Sequence, residues 1–596
     1  MKKRFMQLAA AVLAVCLTVP SAGAVTTNQN GDAMIRVGLA STSPHVPTGE
    51  LEAAHLQNEY GSGYRFGYYD SGLNFVELAR TGRDVEKAAV LKTENLYYGR
   101  SSTLNKNTYS ASISSSIVVG CVHIQLPGSY GSYDEAAAVA AGYEDGFVAW
   151  IDGQYQVRVG AYTTGTEARE VQSTLGGIGS VVGTSAYGMS VVETGTDHIL
   201  FQYDNGASGA LAVQPDVTGA EEVQTWFSGY KYRGGFQYHR RTGGNLTVVN
   251  VLPLEDYING VVCYEMGREW PLEALKAQAL CARTYVLKNL GKHNSHGFDI
   301  CPSDSCQVYH GMGSERPDYG PSETSMRAVA ETAGMVVKYN GRLAEVFYVS
   351  SFGGASEDAK NIWGSDTVNE YPYLRGVEDP YEADLDYANA FSPWTKSYTS
   401  AQLTQQLQKS GLGVGTSVKS LELTYSDLGN VIRVTVHWAN GQSSTISASN
   451  IRSRFDVRSI RFTVNGAGTG ETSTPDLPGN SDEIYINGSP VSGGLEGKYV
   501  ISGGGTVSQA GDKPYAINGT GSISAIGSGG EPDSSTAPQP GSGTVTISGS
   551  TYTFNGGGWG HQVGMSQYGA NAMARRGFTG SEIVAFYFPG VQVAHF

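Results

Sequence analysis

The sequence predicts a mixed α+β protein of several domains, and three observations carry that prediction. At 596 residues the chain exceeds what one hydrophobic core supports, so about two to four domains are expected. Between residues 121 and 180, strand-like and helix-like patterns follow one another in the order βαββα, the mark of a small α+β module. Gly reaches 79 residues while charged side chains make up only 16%, a balance that favours β-rich, loop-rich extracellular structure. The net charge of −15 argues against a nucleic-acid partner, which needs a basic footprint.

The chain opens with Lys2-Lys3-Arg4, an apolar run to about Val19 and Ala22-Gly23-Ala24. These are the three regions of a secretory signal, with cleavage expected after Ala24; a retained signal anchor is the alternative. No later stretch is long and apolar enough to span a membrane, so a secreted or wall-held protein is expected. Five cysteines follow the signal, too few for a disulfide framework in so long a chain.

Met34–Leu39 reads as an early strand, and residues 40–115 carry aromatic patches without a clear period. The pattern clears with a strand at Val122–Leu126, an Ala-rich helix at Asp134–Tyr143, a strand at Gly153–Gly160 and a helix at Glu167–Leu175. Residues 185–250 are strand-rich, and 254–465 alternate helices and strands as the main body. From 466 to 549 the composition shifts to Gly, Ser, Thr and Pro, as either a flexible linker or a small β insert. It separates the body from Gly556–Ala570, where five glycines surround Trp559 and His561 before a Ser-Gln step opens a helix. A flat indole beside an imidazole suits a sugar ring, and glycine lets a ligand approach the backbone.

The candidate acid is Glu265. In Leu254–Glu265, Leu254, Ile258, Val261 and Glu265 are spaced 4, 3 and 4, which puts them on one helix face. A carboxylate that continues an apolar stripe is desolvated, its pKa rises, and it can protonate a leaving oxygen. The bland alternative is a helix-end residue paired with Arg268 or Arg283; Gly260 weakens the helix prediction. The next helix starts at Pro271, buries Leu272, Leu275, Ala279, Ala282, Val286 and Leu290, and stops at Gly291. Arg283, on another face, is a candidate for steering a carboxylated sugar.

His293, His296, Cys301, Cys306 and His310 fall close together on a loop. His296-x4-Cys301-x4-Cys306 supplies three ligands of zinc type; a Cys301–Cys306 disulfide and free thiols are the alternatives. A metal here would be structural, and no organic cofactor is expected.

Together these segments resemble the SpoIID/LytB family. The resemblance rests on Val249–Tyr257, Tyr264-Glu265-Met266, Trp270–Ala279, Ala282–Tyr285, Ser350–Gly354, Tyr373–Arg375 and Gly556–Ala570, with Ile35–Leu39 as a detached start. It implies lytic transglycosylases that act on peptidoglycan glycan strands already stripped of peptides by an amidase. It places the catalytic glutamate on Glu265, as general acid to the glycosidic oxygen and then base to the MurNAc 6-hydroxyl. One carboxylate suffices because that nucleophile is internal. Some relatives carry zinc at a comparable His/Cys/Cys cluster. The family usually has glycine after the motif's His; this chain has Gln562, which puts substrate approach in doubt if the position needs φ > 0 or bare backbone.

Tyr155–Tyr162 with the following helix resembles a SPOR domain, whose sheet binds denuded glycan. The domain reading is therefore a signal at 1–24, an N-terminal part at 34–115, a SPOR-like module at 118–180, a SpoIID-type body at 185–465, the insert at 466–549 and the C-terminal motif at 550–596. Arg283, Gln307, Trp559, His561 and Gln567 are candidate substrate contacts, Gln307 only from its place after the cysteines. Two alternative functions are a non-catalytic modulator of a cell-wall amidase, as the LytB branch implies, and a glycan adhesin built on the SPOR-like module.

Overall fold

The computed structural model describes residues 25–59, 63–216, 223–316, 318–385, 393–466 and 543–596, and the backbone of six short strands between 484 and 525. The signal sequence and most of the insert lie outside the described residues. Among the described residues no helix is long and apolar enough to cross a membrane. The chain divides into two compact units, residues 1–268 with 285–330, and residues 269–284 with 331–596. The body expected over 185–465 is thus divided between them.

The first unit holds a six-stranded antiparallel sheet in the order Phe75–Arg80, Tyr64–Tyr69, Ala210–Pro215, Gly235–His239, Thr247–Pro253, Met34–Ala40. The detached start finds its place here, Met34 opposite Pro253 and Val37 opposite Asn250. Val248, Val249, Val251 and Leu252 are fully buried, as a strand covered on both faces requires. The chain leaves this strand directly into the helix Leu254–Glu265.

Residues 40–115 form strands that pair with partners far along the chain: Ala53–Asn58 pairs with Lys87–Lys92, which pairs with Met189–Glu193. Ala53–Asn58 and Lys87–Lys92 belong to a ten-stranded sheet that also contains the α+β module. The module runs Val122–Gln125, helix Tyr133–Ala140, Gly146–Ile151, Gln154–Tyr162, helix Gly165–Thr174, Ser180–Val182. Its spatial order is fourth, first, third, second strand, a ferredoxin-like βαββαβ arrangement with one more strand than expected. Helices cover one face of it. On the other, Phe147 and Ala149 pack into a core with Leu96, Tyr109 and Val119 of a separate three-stranded sheet. Arg158 and His123 are buried with Gln202, which accepts from Arg158 at 2.6 Å and lies 3.0 Å from the His123 ring. The sheet face on which the resemblance would place a glycan is therefore occupied by protein.

In the second unit the C-terminal segment is woven into the body. Gly543–Ser548 pairs with Val418–Tyr425. Thr551–Gly556 lies between Trp394–Thr399 and Phe462–Val464, and Met565–Ser566 pairs in parallel with Tyr348–Val349. The chain leaves this three-stranded sheet after Phe462–Val464 and returns as Gly543–Ser548, the edge strand of a four-stranded sheet, before Thr551–Gly556 rejoins the first. Re-entry comes at Gly543, earlier than the expected 550. Within the insert the backbone forms three antiparallel hairpins: 484–486 with 489–491, 499–501 with 507–509, and 515–517 with 523–525.

Candidate functional site

The helix Leu254–Glu265 spans the predicted run, and Glu265 is its last residue. Leu254, Tyr257, Ile258, Val261 and Val262 are buried, and Glu265 is half-buried at the end of that stripe. Its Oε1 accepts the backbone N–H of Val308 at 2.7 Å. An N–H donated from a fixed backbone orients a carboxylate without the entropy cost of a side-chain partner.

Gly260 explains how Val308 arrives there. A Cβ at this position would stand 2.6 Å from Tyr309 Cε2 and 3.1 Å from Gly311 Cα, so only a bare backbone admits the loop onto the helix. Tyr309 is locked in turn, donating its hydroxyl at 2.7 Å to Asn250 Oδ1, while Asn250 Nδ2 donates to the carbonyls of Arg233 and Gly235. Gln307 is fully buried and accepts the Tyr257 hydroxyl at 2.9 Å. It cannot touch substrate as expected; it pins the loop one residue before Val308. Gly260, a poor helix former, and the buried Gln307 thus belong to one device for placing an N–H on Glu265.

The same loop brings together His293, Cys301 and Cys306, all buried, with ligand atoms within 4.8 Å of one another. His293 Nε2 lies 3.2 Å from Cys306 Sγ. The histidine of the cluster is therefore His293 and not His296, which sits at the end of a one-turn 3-10 helix with its ring against Phe298. The turn Asn294–His296 reverses the chain, so spacing along the sequence misleads. Both cysteines are free thiols. A buried set of one imidazole and two thiols fits a zinc-type ion.

In the second unit, Arg283 is fully buried and donates to the Met335 carbonyl at 3.0 Å. Its expected role as a substrate contact is corrected: helix periodicity put it on a solvent face, but the segment after Glu331 covers that face. Trp559 is 38% exposed, with the Arg458 guanidinium 4.8 Å over its ring. His561 packs against Trp363 and Phe347 at 5.5 and 5.8 Å between ring centroids. Burial pushes its pKa down to about 4, so its ring is neutral near pH 7. Its Nδ1 accepts from Val563 N, which leaves the proton on Nε2. Gln567 is buried, with Gln278 within 3.5 Å.

Gln562 settles the question its sequence position raised. Its φ is 67°, so the position does require the left-handed region. The side chain turns into the protein, donating to the carbonyls of Phe352 at 2.6 Å and Ala355 at 3.3 Å. The glutamine adds bulk to the interior rather than to the motif's surface.

Sequence reasoning missed the acid pair Asp379 and Glu382. Glu382 accepts the N–H groups of Phe352 and Gly353 at 2.7 Å each and bonds the Ser566 hydroxyl. Asp379 accepts from Tyr587 at 2.6 Å. Burial pushes Glu382 up to about 8 and Asp379 up to about 6. Glu382 ties the Ser350–Gly354 motif to the glycine-rich C-terminal motif. Its sequence, Glu378-Asp379-Pro380-Tyr381-Glu382, looks like a solvated acidic turn, and no periodicity would have exposed the burial.

The first unit is an α+β body in which a helix ends on Glu265, its carboxylate held by a backbone N–H. Residues 242–339 match the model of the SpoIID family, Stage II sporulation protein. The matched segment carries both Glu265 and the His293, Cys301 and Cys306 cluster. It is 27% identical over 359 residues to Stage II sporulation protein D of Bacillus subtilis, covering 59% of this chain and 76% of that protein. It is 28% identical over 346 residues to the amidase enhancer of Bacillus subtilis, covering 57% of this chain and 40% of that protein. An uncharacterized protein of Brachyspira hyodysenteriae is 32% identical over 221 residues, covering 35% of this chain and 55% of that protein.

Proposed function

We propose that this protein is an exported lytic transglycosylase that cleaves MurNAc–GlcNAc bonds in peptide-free glycan strands, in sporulation or wall remodelling. The observation that carries the reading is Glu265, the one carboxylate that the family's Glu-Met step and the loop N–H of Val308 both single out. Protonated Glu265 gives its proton to the GlcNAc O4 as the C1–O4 bond breaks. The ionised carboxylate then takes the proton of the MurNAc 6-hydroxyl as that oxygen bonds C1, closing a 1,6-anhydro ring. No water is consumed, and Glu265 ends as it began.

A structural zinc held by His293, Cys301 and Cys306 would brace the loop that bears Gln307 and Val308. Metal analysis of the purified protein should find about one zinc per chain, lost in Cys301→Ser. The SPOR-like module takes a scaffolding role, since its sheet is covered on both faces.

A second reading, stimulation of a wall amidase, is favoured by the near-equal identity to the amidase enhancer. Turnover of amidase-stripped strands and stimulation of an amidase, each measured with wild type and Glu265→Gln, separate the two. The enzyme reading expects turnover to vanish in the variant. Stimulation without any wild-type turnover would overturn it.

A further inference from the structure

Tyr264, the residue before Glu265, and His310, two residues after Val308, belong to a group of four aromatic rings in the first unit that the proposed reaction has not used. His310 lies parallel to Tyr230, with ring centroids 4.7 Å apart and planes 13° from coplanar. Tyr264, the residue before Glu265, meets His310 edge-on at 5.1 Å and Tyr319 at 5.2 Å. Tyr319 also lies 6.5 Å from Tyr230 and is 42% exposed. An exposed tyrosine ring backed by three others is a fixed flat surface, not a stray side chain.

The backbone holds it there. Met312 N donates to the Lys231 carbonyl at 2.7 Å, and Lys231 N to the Gly313 carbonyl at 2.8 Å. Gly313 and Gly320 have φ of 124° and 140°, and a Cβ on Gly320 would meet Gly313 Cα at 2.8 Å. Two glycines therefore cross back to back where Tyr319 leaves the chain. Tyr264 donates its hydroxyl to the His310 carbonyl at 3.4 Å, which ties the rings to the helix that ends in Glu265.

One arginine borders the shelf: Arg268 donates from Nη1 to the Gly320 carbonyl at 3.2 Å, next to Tyr319. Burial lowers the pKa of His310 and raises that of Tyr264, so neither is charged near pH 7. The neighbouring Lys231 ammonium sits 3.5 Å from Glu59 and over the Trp226 ring. A MurNAc unit of a stripped strand carries a lactyl carboxylate, whereas GlcNAc is uncharged and offers a C–H ring face and an acetyl methyl. Uncharged aromatic faces are suited to the second sugar.

We infer that Tyr319, Tyr264, His310 and Tyr230 form the leaving-group subsite, which stacks the GlcNAc whose O4 receives the Glu265 proton. This rests on the transglycosylase reading of Glu265. The experiment measures binding of stripped strands and of a neutral GlcNAc tetramer to full-length protein carrying Glu265→Gln, alone and with Tyr319→Ala or Tyr319→Phe. Tyr319→Ala should weaken the tetramer about 3- to 10-fold, the size of one aromatic stacking contact, and Tyr319→Phe should bind as the parent does. In the otherwise wild-type enzyme, Tyr319→Ala should raise KM with kcat retained. If Tyr319→Ala binds the tetramer as tightly as its parent while stripped strands still bind, the shelf is overturned and the catalytic reading stands. If the Glu265→Gln parent binds neither ligand, the catalytic reading fails and takes the shelf with it.

Discussion

Replacing Gly260 by alanine sets two opposing effects against each other. In a helix interior the change favours folding by roughly 0.5–1 kcal/mol, because glycine loses more backbone freedom and has the poorer helix propensity. Here the new methyl would lie 2.6 Å from Tyr309 Cε2, well inside contact distance. Tyr309 cannot yield: it is 1% exposed, bonded to Asn250 and packed 5.0 Å from the Tyr257 ring. Overpacking of this kind costs about 1–3 kcal/mol, so the net effect is a destabilisation of up to about 2 kcal/mol. The loop must also retreat, carrying Val308 N away from Glu265. Glu265 enters the reaction protonated, and an ordinary hydrogen bond is worth about 0.5–1.5 kcal/mol, so strand cleavage should fall about 2- to 10-fold. Urea unfolding at matched buffer gives the first quantity and initial rates on stripped strands the second. A Gly260→Ala protein that is more stable than wild type by about 1 kcal/mol and fully active would refute the reasoning.

Three other outcomes follow from the second unit and the cluster. Glu382 and Asp379 have folded pKa values above the ordinary carboxylate range, so the folded state holds their protons more tightly than the unfolded chain. Their contribution is fully present below about pH 4 and lost as pH rises through about 8, so from this pair Tm should fall between pH 5 and 9, and Glu382→Gln should flatten that slope. A slope unchanged in Glu382→Gln would contradict the assignment. Gln562→Ala keeps the left-handed backbone and loses two hydrogen bonds, so it should lower thermal stability more than Gln562→Gly, which is freed from the strain; equal melting of the two variants would count against it. Chelation should remove zinc and loosen the loop at 301–311, read as faster amide exchange at Val308; unchanged exchange would mean the loop stands without metal.

Much of the first unit was legible because its signals are local. The helix Leu254–Glu265 matches its predicted run residue for residue, since apolar spacing and the carboxylate both lie on one short segment. The module at 122–182 was readable for the same reason, its strands alternating and its first helix rich in alanine. What could not be read was set by contacts across long stretches of chain. Residues 40–115 lack a clear period because their strands are finished by partners as distant as Met189–Glu193. Arg283 and Gln307 looked like polar side chains available to a ligand and are buried by segments the sequence gives no means of placing. His293 displaces His296 because one 3-10 turn intervenes, and Asp379 with Glu382 hides a buried pair within an acidic run.

The central claim is that Glu265 alone moves the proton that breaks and the proton that closes. Mass spectrometry of products from amidase-stripped strands, incubated with residues 25–596 or with the Glu265→Gln variant, tests it most directly. The account predicts 1,6-anhydro-MurNAc ends from the wild type and intact strands, still bound, from the variant. Anhydro ends from both proteins, or reducing MurNAc ends in place of anhydro ends from the wild type, would contradict it.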